Sequence, residues 1–283
     1  MSSQPAPAPP TCLEPLPGDR CRVRPSFWHV SPELPGEGSP AEIFEAFWRM
    51  PCEWFEKPNS RRGGWSGVSR HVLENGQSIF LKRLENHCYR DPWRFGRRTP
   101  TFRREWRASG RLRRLGIRVP EILLYAERED GVRHQAIMVS RALDGYRTLL
   151  ACLAEAGEDT VRRRSLVEAA VQAVVTLHRS GFQHNHMAAK HLLLREDGSG
   201  GWETCLVDLE KVTPCLLRSL AAVRDLSGLL RHTPTLLPEE RRHLVQLYCA
   251  HWDPGRQAWL ERAIVRRLAH KGHPEKALGL SPA

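Results

Sequence analysis

Within the 283 residues, one lysine and two carboxylates stand where they could handle phosphate. Lys82 lies near the end of a segment with strand-like alternation. Glu105 falls on the apolar side of a helix-like stretch otherwise studded with arginines. Burying a carboxylate alone is costly, so Glu105 is expected to have a cationic partner. A lysine held by such a carboxylate presents its ammonium to phosphate oxygens. Asp208 closes a short apolar strand, a position from which a carboxylate can hold a divalent ion that bridges phosphates. Ahead of it come the polar loop Gln183-His184-Asn185-His186 and, five residues after His186, His191. The spacing H-x-H-x4-H also admits a zinc site completed by Asp208 or Cys205, but that reading leaves Lys82 and Glu105 without a role.

These residues need elements to position them. Asn75-Gly76 between VSRHVLE and QSIFLKR predicts a β-hairpin closed by a type I′ turn, with Lys82 near the end of the second strand. Ahead of it, Arg61 to Val68 is a glycine-rich turn entering a strand, a weak signal alone. Over Thr101–Leu115, Glu105, Ala108, Leu112 and Leu115 recur at helical spacing and share one face. Gly116 ends that helix, and Val119-Pro120 starts an extended segment. AEIFEAFWRM reads as a short amphipathic helix with Ile43, Phe44 and Phe47 as its apolar contacts. Later come a strand in QAIMVSRAL, a helix near Thr148, and a helix from about Leu166 to Arg179 with Gly181 as its cap. Two short strands, HLLLRE and TCLVDLE, follow. Strands with one helix, then mainly helices with a small hairpin, exclude an all-parallel doubly wound sheet.

Composition narrows the class. The Pro-, Gly- and Ser-rich residues 1–38 read as a loosely ordered arm without a secretory signal, and no apolar run reaches the ~18 residues of a membrane span. Eight scattered cysteines, none spaced as C-x-x-C, predict reduced thiols. The net charge is +11, and Lys82 to Arg118 holds 13 Lys or Arg against three acids, a local excess of +10. That concentration suggests an anionic partner; the bland alternative is a solvated helix face. The arginines are not interleaved with regular stacking aromatics, so no specific nucleic acid is expected.

Taken in order, the glycine-rich turn, strand lysine, helix carboxylate, polar loop and strand-end aspartate form the kinase signature set. The segment His184–Leu194 with Val207-Asp208-Leu209-Glu210-Lys211 is similar to the InaA and WaaP group of bacterial lipopolysaccharide kinases. So are Arg61–Val68, the tract KRLENHCYRDPWRFGRRTPTFRREW and Arg224-Asp225-Leu226; the likeness covers roughly residues 40 to 250. The resemblance implies an α+β, bilobal protein-kinase-like fold, with a small antiparallel-sheet N-lobe at 39–142 and a mainly helical C-lobe at 143–283. It implies ATP and Mg²⁺ as cofactors, with Mg-ATP bound between the lobes. Gly63, Gly64 and Gly67 would cover the nucleotide, Lys82 would contact its phosphates and Glu105 would hold Lys82. Met138 to Leu143, with Met138 and Ser140, would form the hinge beside the adenine. Asp208 would bind metal, although Leu-Glu follows it where kinases have Phe-Gly. His191 would share that metal in place of an asparagine, and Asp225 would brace the catalytic loop. His186 stands where the catalytic base is usually aspartate.

Three readings follow. The first is an ATP-dependent phosphotransferase acting on a sugar of lipopolysaccharide core or a related glycolipid. It would be cytoplasmic and peripheral on the inner-membrane face, with an anionic glycolipid or phosphorylated sugar as substrate. The second is a pseudokinase that binds nucleotide or a partner without phosphoryl transfer. The third is a basic, non-enzymatic adaptor.

Overall fold

The computed structural model describes residues 27–34, 38–51, 53–61, 63–91, 95–130 and 133–271. Most of the 1–38 arm lies outside them, but Phe27–Val30 forms strand β1 rather than loose chain, because its backbone pairs antiparallel with Leu124–Glu127. The remaining elements of the first half are α1 (Pro40–Arg49), β2 (Asn59–Arg61), β3 (Gly64–Val72), β4 (Ser78–Glu85), β5 (Cys88–Asp91), β6 (Arg97–Pro100), α2 (Phe102–Arg114), β7 (Ile122–Asp130) and β8 (Arg133–Arg141). After them come β9 (Arg147–Thr148), α3 (Leu149–Ala156), α4 (Thr160–Arg179), β10 (Phe182–Gln183), β11 (Leu192–Glu196), β12 (Trp202–Leu206), β13 (Thr213–Pro214), α5 (Arg218–Arg231), α6 (Pro238–Cys249) and α7 (Pro254–His270). Two compact units result. The first holds residues up to Ser109 and Pro120–Asp144; the second holds Gly110–Val119 and everything from Gly145.

The first unit is built on an antiparallel sheet in the order β1-β7-β8-β4-β3-β2. Successive side chains of a strand point to opposite faces, so β4 sorts its residues by parity. Ile79 and Leu81 enter a core with Phe44, Phe47 and Trp48 of α1 and with Trp65, Leu123 and Val139. Leu84 enters a second cluster with Phe102, Tyr125 and Met138, against which Trp106 of α2 packs. Ser39 caps α1 in a reciprocal box with Glu42, which satisfies backbone donors that the first turn leaves open.

The β3–β4 hairpin forms as expected, but not with a type I′ turn. Only Gly76 has positive φ, +80°, and its N–H bonds to Leu73 C=O at 2.8 Å, giving a type I turn closed by a left-handed glycine. The loop carries three residues rather than two, and three-residue hairpins take this form. In α2, Glu105, Ala108 and Leu112 are buried, whereas Leu115 is exposed. The helix stops at Arg114 and Gly116 (φ +74°) reverses the chain, so Leu115 never completes the stripe.

The basic tract is in part structural. Arg83 is fully buried and donates to the carbonyls of Trp48 (3.1 Å), Met50 (2.6 Å) and Pro51 (3.2 Å), at the carbonyl end of α1 where a cation is favoured. Arg103 makes a two-pronged bond with Glu127, both contacts at 2.5 Å and both residues buried. Arg107 pairs with Asp91, and Arg118 with Glu203. Arg90, Arg97, Arg98 and Arg104 in the first unit and Arg111, Arg113, Arg114 and Arg118 in the second are exposed, so most of the described tract still faces solvent.

The second unit is mainly helical. Leu166, Ala170, Val174 and Leu177 form the buried stripe of α4, which packs on α6 and β12; Leu260, Ile264 and Leu268 of α7 are buried, and α7 packs on α5. Gly181, at φ +79°, caps α4 through its N–H bond to His178 C=O. The hairpin β11–β12 takes β9 as a third strand. Among the described residues no helix is long and apolar enough to cross a membrane, and five cysteines are free thiols. Breaking a buried ion pair strands one charge, so Glu127→Ala is expected to lower stability by about 3–5 kcal/mol. Exposed Arg111→Ala should change it by no more than about 0.5 kcal/mol. Denaturant unfolding of the two variants measures the contrast.

Candidate active site

In the first unit, strand parity places Lys82 on the face of β4 that meets α2. Its cross-strand neighbours are Val68 and Met138. Its Nζ reaches Glu105 Oε1 at 2.6 Å, with both side chains largely buried. Glu105 sits in the first turn of α2, where a negative charge also suits the helix dipole. The partner expected for the inward carboxylate is therefore Lys82, as the order of motifs implied.

The glycines of the β2–β3 turn each have a local cause. Gly63 adopts φ +75°. A Cβ on Gly64 would stand 2.2 Å from the Glu85 carbonyl oxygen, and one on Gly67 would stand 2.5 Å from the Trp54 ring. Met138 and Ser140 lie inside β8, flanked by β4 on one side and β7 on the other. Backbone groups there go to the ladders, and the Met138 side chain is core. Any backbone recognition in Met138–Leu143 is thus left to the residues after Arg141. Even there, the Ala142 N–H is bonded to Ser78 C=O at 2.9 Å.

In the second unit, a buried carboxylate organises the polar loop. Asp225 of α5 accepts the backbone N–H of His184 through Oδ2 (2.6 Å) and that of Asn185 through Oδ1 (2.8 Å), and its Oδ2 also meets His178 Nε2 at 3.1 Å. His178 Nδ1 in turn contacts the Tyr248 hydroxyl at 2.7 Å. His184 is fully buried and bonds through Nε2 to Val207 C=O at 3.0 Å, which ties the loop to the residue before Asp208. Asn185 and Asp208 both take left-handed backbone, φ +64° and +59°. That conformation is uncommon outside glycine and persists where surrounding contacts enforce it.

His186, His191 and Asp208 converge. His186 Nδ1 is 3.0 Å from Asp208 Oδ2, and His191 Nε2 is 3.3 Å from the same oxygen. His191 Nδ1 lies 2.7 Å from the His186 carbonyl, an acceptor only, so the proton belongs on Nδ1 and the Nε2 lone pair faces Asp208. Burial pushes the His191 pKa down to about 4 and also lowers that of His184, so both rings are neutral near pH 7. A lone pair and a carboxylate oxygen face to face are an unfavourable pair unless a cation sits between them. The three ligand atoms lie within 4.8 Å of one another, and a divalent ion fits that donor set. His184 turns away to Val207, and Cys205, buried with its thiol pushed up to about 12, is outside the cluster. The zinc reading thus keeps only His186, His191 and Asp208 of its candidates.

Sequence reasoning missed two supports. His178 and Tyr248 complete the chain behind Asp225 across 47 and 70 residues, with no local spacing to signal them. Arg224, adjacent to Asp225, donates to Asn185 Oδ1 at 2.6 Å.

The profile of the lipopolysaccharide kinase (Kdo/WaaP) family matches residues 45–248. Protein InaA of Escherichia coli (strain K12) is 28% identical over 194 residues, covering 67% of this chain and 87% of that protein. A solved structure of WaaP in complex with acyl carrier protein aligns with a TM-score of 0.55 and 20% identity, covering 86% of this chain and 99% of that one. The likeness establishes the α+β protein-kinase-like fold expected from the order of motifs.

Because the folded pKa of His191 lies below its ordinary value of 6.5, the unfolded chain takes up the proton first as pH falls. Stability is full above about pH 6.5 and is lost toward pH 4, with His184 acting in the same direction. The thermal midpoint should therefore drop between pH 7 and pH 5, and His191→Gln should shrink that drop. An equal drop in the variant would remove His191 from the account.

Proposed function

Since the chain belongs to the lipopolysaccharide kinase (Kdo/WaaP) family, we propose that it is an ATP-dependent phosphotransferase acting on a sugar of lipopolysaccharide core or a related glycolipid. The observation that carries the reading is Asp208 and the unprotonated Nε2 of His191 sharing one focus on a loop braced by Asp225. Asp208 and His191 would hold Mg²⁺, which supplies charge neutralisation of the nucleotide phosphates when bound. Lys82, oriented by Glu105, would position those phosphates. His186, a half-exposed imidazole tied through Nδ1 to Asp208, would use its other nitrogen to accept the proton of the acceptor hydroxyl. The exposed arginines of the basic tract would favour an anionic glycolipid and peripheral association with the cytoplasmic face of the inner membrane. A carrier protein, as in the complex solved for WaaP, is a further candidate partner.

A second reading rests on His186 itself. Phosphoryl transfer depends mostly on positioning, but a loop without the usual aspartate also suits a pseudokinase that binds nucleotide and transfers nothing.

Transfer of the γ-phosphate to dephosphorylated core lipopolysaccharide separates the two. Under the first reading the wild type turns over, Lys82→Met and Asp208→Asn each lose about 100-fold or more in kcat, and His186→Ala loses roughly 10²–10⁴. A wild type that binds nucleotide without turnover, with transfer appearing in His186→Asp, establishes the second.

Metal preference gives a separate check. A nitrogen donor favours transition ions over Mg²⁺, so Mn²⁺ should support turnover at lower concentration than Mg²⁺. His191→Asn should narrow that difference; metal titrations of the two proteins read it directly.

A further inference from the structure

A cavity of about 340 Å³ lies wholly within the second unit, between α5, α7 and the loop Asn185–Met187. Four cations line it, Arg224 and Arg231 from α5 and Arg267 and Lys271 from α7 and the residue after it, and no carboxylate does. Several arginines elsewhere in the described residues meet a carboxylate: Arg163 with Glu240, Arg128 with Glu45, Arg195 with Glu203. Among the described residues none of the four cavity cations forms an ion pair with Asp or Glu. Arg224 donates to Asn185 Oδ1, and Arg231 to His232 Nε2 at 2.9 Å.

Like charges crowded into one concavity repel, and an oxyanion with several acceptor oxygens removes that repulsion through charge-assisted bonds. Gly228 lets α5 and the loop approach closely at the edge of the cavity, since a Cβ there would stand 2.9 Å from the Met187 carbonyl oxygen. The volume is at the small end of ligand pockets, roughly 300–1,000 Å³, and suits a sugar phosphate better than an acyl chain. His186 lines the same cavity.

We propose that this cavity is an oxyanion subsite for the acceptor, taking a phosphate or carboxylate already on the sugar and thereby turning a neighbouring hydroxyl toward His186. The assignment rests on the phosphotransferase reading. It adds where the acceptor's anionic group is read, by cations of α5 and α7.

The test is equilibrium binding of core oligosaccharide to the full chain, which needs no turnover and so remains informative if phosphoryl transfer is absent. Arg231→Gln with Arg267→Gln removes two charges at helix surface positions, and an unchanged thermal midpoint verifies the fold. The wild type should bind the phosphate-bearing oligosaccharide about tenfold more tightly than the same material stripped of phosphate and with its carboxylates reduced. The double variant should lose that difference, and inorganic phosphate should compete with the intact oligosaccharide. With turnover, the variant should raise the acceptor KM and leave the ATP KM unchanged. Equal wild-type binding of intact and stripped oligosaccharide would overturn the proposal. So would a variant that keeps the difference. If the substitutions instead weaken binding to phosphatidylglycerol vesicles and leave oligosaccharide binding unchanged, the cavity reads a lipid headgroup and the acceptor assignment is wrong.

Discussion

The carboxylate of Asp225 is the constraint on which the second unit's chemistry depends. It is buried, and a buried charge persists only where hydrogen bonds replace its water. Asp225 finds them in two successive backbone N–H groups of the polar loop and in His178. Those bonds hold Asn185 in left-handed backbone and fix the path of the chain through His186. His184, bonded to Val207, carries the constraint on to Asp208. The side chains of the candidate site are thus placed by groups that themselves face away from solvent, and this gives a site its rigidity.

An equivalent logic operates in the first unit through strand parity. Lys82 and Arg83 are neighbours of like charge, yet the pleat sends them to opposite faces with opposite fates. Lys82 meets a carboxylate on α2. Arg83 is sealed among carbonyls at the end of α1 and beside the Trp54 ring, 5.1 Å from its centroid. The first is held by an ion pair and the second cements the helix to the sheet. A one-residue slip of β4 would exchange them, so the register of the hairpin is as consequential as the residue types.

The imidazoles divide in the same way. His178 and His184 are buried supports, each with a fixed acceptor. His191 is held by the His186 carbonyl so that its free nitrogen faces Asp208, and His186 keeps its ring partly in solvent. Three histidines within eight residues therefore supply a brace, a candidate ligand and a candidate proton acceptor.

Local patterning was sufficient for much of this. Asn-Gly marked the hairpin, helical spacing put Glu105 inward, Gly116 and Gly181 marked helix ends, and the order of motifs pointed to the family. These features depend on residues within a few positions of one another, where period and turn preference act directly. Residue types could not say which arginines are structural, because the partners of Arg83, Arg103 and Arg163 lie on other elements up to 77 residues away. Nor could they show Phe27–Val30 completing the sheet, the left-handed backbone at Asp208, or the orientation of His191. The cavity cations of α5 and α7 likewise look like two ordinary helix faces until packing brings them together. Charge and ligand geometry are properties of distance in space, and only the tertiary structure sets those distances.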